Sequence, residues 1–101
     1  MGNQKEETRK EFSKTYVIKT DGTKEERKPK GKYFTLNELR DIVGGMVQIV
    51  PVGGKYLVCN EEGKIIGLEQ NRVATSELGK YLLPGDIIAG DVLVTETKYI
   101  D

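Results

Sequence analysis

The stretch from Gly44 to Asn60 constrains the fold more than any other part of the sequence. Two apolar runs, residues 46–52 and 55–60, flank the pair Gly53-Gly54. This pattern is typical of a β-hairpin with a two-residue turn, because glycine adopts a positive φ without steric conflict. Both faces of the first run are largely apolar, so we expect this strand to be interior and covered on both sides. The remaining elements are expected to pack around this hairpin.

A short helix is predicted immediately before the hairpin. The segment Thr35-Leu36-Asn37-Glu38 fits a capping box, in which the threonine hydroxyl and the glutamate carboxylate satisfy the first backbone N–H groups. Leu36, Leu39, Ile42 and Val43 follow at helical spacing and form one apolar stripe. The helix should end at Gly44-Gly45. Because it is short, it must pack on a sheet to be stable.

The flanking segments predict further strands. Residues 16–18 are rich in β-forming side chains and precede an Asp-Gly turn, and residues 23–28 contain no apolar side chain. We therefore expect the second segment to be an exposed edge strand, whose charges oppose aggregation. Residues 64–68 predict a third short strand after the hairpin, and residues 92–95 predict the last one. Residues 69–80 support at most a single helical turn or a loop.

The fold class that follows is α+β, a small and mostly antiparallel sheet with one main helix packed across it. The order of a hairpin, a helix and further strands is similar to that of β-grasp domains, and this analogy concerns the fold alone. Residues 15–101 are expected to form a single domain. Residues 1–14 are strongly polar and are expected to be a mobile, charged N-terminal arm.

Charge is balanced overall but unevenly placed. Residues 1–32 carry ten Lys/Arg and six Asp/Glu, a net charge of +4, and residues 33–101 carry a net charge of −4. Glutamates interrupt every basic cluster of the first third, and no aromatic residues alternate with the cations there. Affinity for phosphates should therefore be poor, and nucleic acid is not the expected partner.

The sequence contains few groups that could carry out catalysis. It has no histidine and one cysteine, Cys59, which excludes common zinc sites and Cys–His or Ser–His–Asp constellations. Cys59 lies in an apolar run and is expected to be a buried structural thiol. No phosphate-binding loop is present. We therefore expect a protein without catalytic residues, metal or cofactor.

Four polar residues are candidate binding residues: Asn60, Asn71, Arg72 and Asp91. One interpretation is structural, with the asparagine side chains replacing missing backbone partners in turns. The other is functional, with Asn71 and Arg72 forming a polar recognition site in which the guanidinium anchors a partner. The sequence leaves both open.

Residues from about 34 to 95 contain an ordered series of short motifs. The series consists of Thr35-Leu36, Leu39, Val43-Gly44-Gly45, Val47-Gln48-Ile49-Val50, Cys59-Asn60-Glu61-Glu62-Gly63-Lys64, Gly67-Leu68, Asn71-Arg72 and Ile88-Ala89-Gly90. It resembles a domain of unknown function found in small proteins of phages, plasmids and conjugative elements. The resemblance implies a mobile-element accessory protein in a bacterial cytoplasm, and it implies no known activity.

The leading hypothesis is a non-enzymatic interaction module that binds and modulates a host protein. Strand addition at the exposed edge formed by residues 23–28 is one mode of binding. The alternative is a small-ligand or nucleotide-binding module that uses Asn60, Asn71 and Arg72. No apolar run is long enough for a membrane helix, so no membrane partner is expected. The two apolar faces of residues 46–52 leave room for a homodimer.

Overall fold

The computed structural model describes residues 15–101, in which five strands form one antiparallel sheet. The strands are β1 (Tyr16–Ile18), β2 (Lys24–Glu26), β3 (Val47–Val52), β4 (Lys55–Asn60) and β5 (Val92–Glu96). Their order in the sheet is β2-β1-β5-β4-β3. The last strand thus lies in the centre, between the two hairpins. The α+β prediction is confirmed, and the predicted N-terminal arm lies outside the described residues.

The central hairpin has the predicted two-residue turn. Val52 pairs with Lys55, and the register continues to the pair Val47 and Asn60. Gly53 and Gly54 have φ values of 56° and 85°, as a tight turn between twisted strands requires.

Two helices cover opposite faces of the sheet. Helix α1 (Leu36–Val43) packs with Val17, Val58 and Leu93, whereas helix α2 (Arg72–Leu78) packs on the other face. The core on the α2 face contains the buried residues Ile18, Val52, Leu57, Ala74, Leu78, Ile88, Val92 and Val94. Because side chains alternate along a strand, β4 and β5 contribute to both cores and are covered on both sides.

The predicted capping box at the start of α1 is confirmed. The Thr35 hydroxyl accepts a hydrogen bond from the Glu38 N–H at 3.1 Å, and the Glu38 carboxylate accepts one from the Thr35 N–H at 2.9 Å. The helix ends at Gly44, whose φ of 77° is left-handed and whose N–H donates to the Arg40 carbonyl. A glycine at this position avoids the steric penalty that a Cβ would meet.

The prediction that residues 46–52 form an interior strand is wrong. Strand β3 lies at the edge of the sheet, with β4 as its neighbour. Ile49 is 41% exposed, and Gln48 and Pro51 are exposed as well. The physical reason is the topology: β5 pairs with both β1 and β4, which leaves the first strand of the hairpin outermost.

Two predictions about the following segment are also wrong. Residues 64–68 form turns instead of a third strand, with the Leu68 N–H donating to the Gly63 carbonyl. The segment 69–80 contains more helix than predicted, because α2 spans seven residues and continues into a 3-10 turn at Gly79–Tyr81. The predicted exposed edge strand is confirmed as β2, whose three residues are all exposed.

Candidate binding surface

Asn71 is completely buried, and its side chain joins three parts of the chain. Its amide nitrogen donates to the carbonyl oxygens of Ile18 and Gly90, both at 2.9 Å. Its amide oxygen accepts from the Ala74 N–H at 3.1 Å and so caps α2. The side-chain amide thus donates to two backbone carbonyls and accepts from one backbone N–H. This agrees with the structural interpretation, in which the side chain replaces missing backbone partners.

The other three candidates lie at separate places. The Asn60 amide donates to the Val43 carbonyl and accepts from the Glu62 N–H, and the Asp91 carboxylate accepts from the Thr20 N–H. Arg72 is exposed at the start of α2. Of the four, Asn60 alone lines either of the two clefts on the α2 face of the sheet, one beside β3 and one beside β1 and β2. The structure therefore does not bring the four together in these clefts, and a binding role for them stays a prediction.

A cleft of about 380 Å³ lies between β3, β4 and the segment 81–89, and we call it the β3 cleft. Gln48, Val50, Leu57 and Cys59 project into it from the sheet, on the same face as α2. Residues of the opposing wall and rim are Asn60, Glu61, Lys64, Tyr81, Leu82, Leu83, Asp86, Ile87, Ile88 and Ala89. The sheet side of this cleft is therefore mainly apolar.

An ion pair stands at the rim of the β3 cleft. The Lys64 ammonium contacts the Asp86 carboxylate, which also accepts a hydrogen bond from the Ile87 N–H at 2.9 Å. Both contacts favour the ionised acid, so the pKa of Asp86 lies below its ordinary value, with Lys64 as the larger cause. The rim thus presents a compensated pair of charges above an apolar floor.

The thiol of Cys59 is half-buried in the floor of this cleft. Burial raises its pKa, because the thiolate would lose hydration; Lys64 opposes this shift and Asp86 adds to it. Its sulfur lies 3.8 Å from the amide oxygen of Gln48. With a raised pKa and no histidine in the chain, the thiol lacks the activation that a catalytic cysteine needs.

We therefore expect slow alkylation of Cys59 in the folded protein. At pH 8, iodoacetamide should react more slowly with the native chain than with the same chain in urea, and the pH midpoint of the reaction should be higher in the native state. The rate should be followed by mass spectrometry of the intact protein, with Cys59→Ser as the blank. Equal rates and midpoints in the two states would contradict a buried thiol.

A second cleft, of about 960 Å³, lies on the same face at the β1–β2 side, and we call it the tyrosine cleft. Its lining comprises Tyr16, Lys24, Glu26, Val52, Gly53, Lys55, Glu77, Leu78, Lys80, Tyr81 and Val94. The amines of Lys24 and Lys55 lie 5.5 and 5.4 Å from the Tyr16 ring centroid, and Lys24 is paired with Glu77 at 2.6 Å. Burial lowers the pKa of Lys55. The lysines here have carboxylate and aromatic neighbours within the domain itself.

Two exposed apolar side chains lie on the wall and rim of the β3 cleft. Leu83 is 78% exposed and Ile87 is 37% exposed, although both neighbour side chains that pack into the core. Neither residue was predicted from the sequence to be a site residue. The available signal was the pairing Leu82-Leu83 and Ile87-Ile88, because adjacent residues in an extended loop point in opposite directions and only one can be buried.

A family model described as a domain of unknown function matches residues 14–100, which include the whole described sheet and both helices. The chain belongs to the DUF3846 family. This agrees with the resemblance to a domain of unknown function. No curated protein and no solved structure is significantly similar to the chain.

The described part of the DUF3846 domain offers no cluster of metal ligands. Across residues 15–101, no three His, Cys, Asp or Glu side chains converge in a way that could hold a metal ion. In the same range, no helix has the length and apolar character needed to cross a bilayer. The buried side-chain polar atoms described in the DUF3846 domain all have hydrogen-bond partners, so none is left pointing into a cleft for a ligand.

Proposed function

We propose that the chain is a non-enzymatic protein-interaction module that binds its partner at the β3 cleft and its apolar rim. The observation that carries this proposal is the exposure of Leu83 and Ile87 beside a cleft with an apolar floor. Exposed apolar patches with a polar border are characteristic of interaction sites. The ion pair between Lys64 and Asp86 supplies such a border.

The cleft suits an apolar side chain of a partner protein as an anchor. Val50 would contact such a side chain from the sheet, and Leu83 would cover it from the opposite wall. A cleft of about 380 Å³ is at the small end of ligand pockets, which hold roughly 300–1,000 Å³. Binding of this kind depends on a few buried anchors instead of on the whole contact area.

This location differs from the edge formed by residues 23–28. Strand β2 has three residues, all charged, and Lys24 and Glu25 form ion pairs with Glu77 and Lys19. Charges of this kind disfavour strand addition. We therefore assign the partner surface to the opposite end of the sheet.

The biological setting is part of the same proposal. We propose a mobile-element accessory protein that acts in a bacterial cytoplasm and modulates a host protein. Its support is the resemblance carried by the motifs between Thr35 and Gly90. The alternative small-ligand site at Asn60, Asn71 and Arg72 has less support, because both amides are bonded to backbone groups.

The test compares two variants in one capture experiment. A tagged chain carrying L83K and I87K should lose a partner that the unchanged chain recovers from bacterial cells, by roughly tenfold or more if the two residues are anchors. The matched control is I65K, because Ile65 is 84% exposed and does not line the cleft. The partner is identified by mass spectrometry of the captured proteins.

The control gives the experiment its specificity. Recovery of the same partner by the unchanged chain and by I65K, with loss in the double variant, supports the proposal. Equal recovery from all three chains would show that Leu83 and Ile87 do not contact the partner. Circular dichroism of each variant verifies that the fold is retained.

A further inference from the structure

We propose that the outer edge of β3 pairs with β3 of a second copy of this chain, so that the two sheets form one continuous antiparallel sheet of ten strands. This inference goes beyond the proposed function and does not depend on it. Its basis is the character of the edge, the direction of its backbone groups and the self-complementary register that they permit.

The outer edge of β3 is the longer and the uncharged edge of the sheet. It has six residues, and within residues 15–101 no strand pairs with its outer side. The sequence from Gly44 to Gly54 contains no charged residue, although 32% of the chain is charged. Met46 is 53% exposed, and Ile49 is exposed as well. An edge without charges is a template for pairing with another strand.

The register of the hairpin determines which backbone groups point outward. The Glu61 N–H donates to the Met46 carbonyl, and Val52 closes the two-residue turn with Lys55. Because hydrogen-bonded positions alternate in an antiparallel pair, the even-numbered residues of β3 face β4. Val47, Ile49 and Pro51 therefore direct their backbone groups outward. Proline, which lacks an N–H, occurs on edge strands with that side toward solvent.

A two-fold axis at Gln48 pairs all the outward backbone groups of Val47 and Ile49. It places Val47 opposite Ile49 of the second copy, and each such pair exchanges two N–H···O=C bonds. The two symmetric pairs satisfy all outward groups of both residues. An axis at Ile49 would instead set the Val47 carbonyl against Pro51, which has no N–H to donate. The register at Gln48 is therefore favoured, because it moves Pro51 opposite Gly45, which lies outside the strand.

The distribution of charge favours a second copy of the chain at this edge. In this register Met46 lies opposite Val50, and Gln48 lies opposite itself, so no like charges meet. The same symmetric pairing at β2, about its central residue, would set the two Glu25 side chains opposite each other. The chain as a whole has a formal net charge of 0, so two copies do not repel each other at long range.

The first measurement is the mass of the full chain by light scattering after size exclusion. Each chain has a mass of 11.3 kDa, and we expect a species of twice that mass. Its fraction should increase as the protein concentration is raised over a roughly hundredfold range. A single-chain mass throughout that range would overturn the inference. This result would leave the proposed function intact, because that proposal is tested with Leu83 and Ile87.

The second measurement tests the register in a Cys59→Ser background, which removes the native thiol. In the proposed pairing Q48C lies opposite its own symmetry mate in a close pair, with Cα atoms about 4.5 Å apart, a distance that a disulfide spans. The matched control is M46C, because Met46 is also on this edge but its two copies would be about 14 Å apart, four residues along the strands.

Mild oxidation should therefore link most of the Q48C chains into covalent dimers and leave M46C unlinked, as seen on a non-reducing gel. Equal linkage of both variants would indicate random collisions and overturn the register. If the chain is a dimer in solution but the Q48C variant forms no disulfide, the two copies contact each other through another surface or another strand. Either result would contradict pairing of β3 with β3.

Discussion

Replacement of Asn71 by alanine should lower the free energy of unfolding by about 3–5 kcal/mol, an exceptionally large effect for one polar residue. The change removes the donor to the carbonyls of Ile18 and Gly90, and each buried acceptor left without a partner costs about 1–3 kcal/mol. It also removes the cap on α2, which is worth about 1 kcal/mol. Urea denaturation followed by far-UV circular dichroism measures the loss.

Two companion variants separate these contributions. Asn71→Ser retains an oxygen that can accept from the Ala74 N–H, so it should recover about 1 kcal/mol of the loss. Asn37→Ala is the matched control, because Asn37 is exposed and should change stability by less than about 0.5 kcal/mol. If Asn71→Ala were as mild as Asn37→Ala, the three hydrogen bonds would not be important for stability, and the functional interpretation of Asn71 would gain support.

Asn71 also illustrates what the sequence can predict about a site. The residue type and its place in a loop were sufficient to single it out, because asparagine often satisfies backbone groups in turns. The sequence could not reveal its partners, since Ile18 lies 53 positions away and meets Asn71 only after β1 and α2 pack on each other. Leu83 was not predicted as a site residue, because the sequence does not show which of the two adjacent leucines, Leu82 or Leu83, points inward.

In the fold as well, features set by neighbouring residues were predicted, and features set by residues far apart in the sequence were not. The capping box at Thr35 and the glycine turn of the hairpin were predicted correctly, because both depend on residues a few positions apart. The edge position of β3 was not predicted, because it is set by the insertion of β5 between β1 and β4. Pro51 was the one local signal, since proline suits a strand that has no neighbour on its N–H side.

Gly53→Ala should destabilise the protein by about 1–2 kcal/mol, more than the same change at the adjacent Gly54, because the half-exposed Tyr81 side chain must turn away from the new methyl group. Gly53 has a φ of 56°, and a Cβ at this position would overlap the phenol ring of Tyr81. Gly54 has a φ of 85°, and a Cβ there meets no atom within 4 Å. Gly54→Ala should therefore cost only the backbone strain, about 1 kcal/mol. Urea denaturation of the two variants gives the difference.

Comparing Gly53→Ala with Gly54→Ala isolates the contact with Tyr81. Backbone strain alone would make the change at Gly54 the more destabilising of the two. A φ of 56° is close to the ideal left-handed value for an L-residue, whereas 85° is farther from it. Any excess cost at Gly53 must therefore come from the ring, and it should disappear when both changes are repeated in a Tyr81→Ala background. An excess that persists without the ring would contradict the contact. Because Tyr81 lines both clefts, a loss of the excess would also show that its ring lies against the hairpin turn where the two clefts share a lining residue.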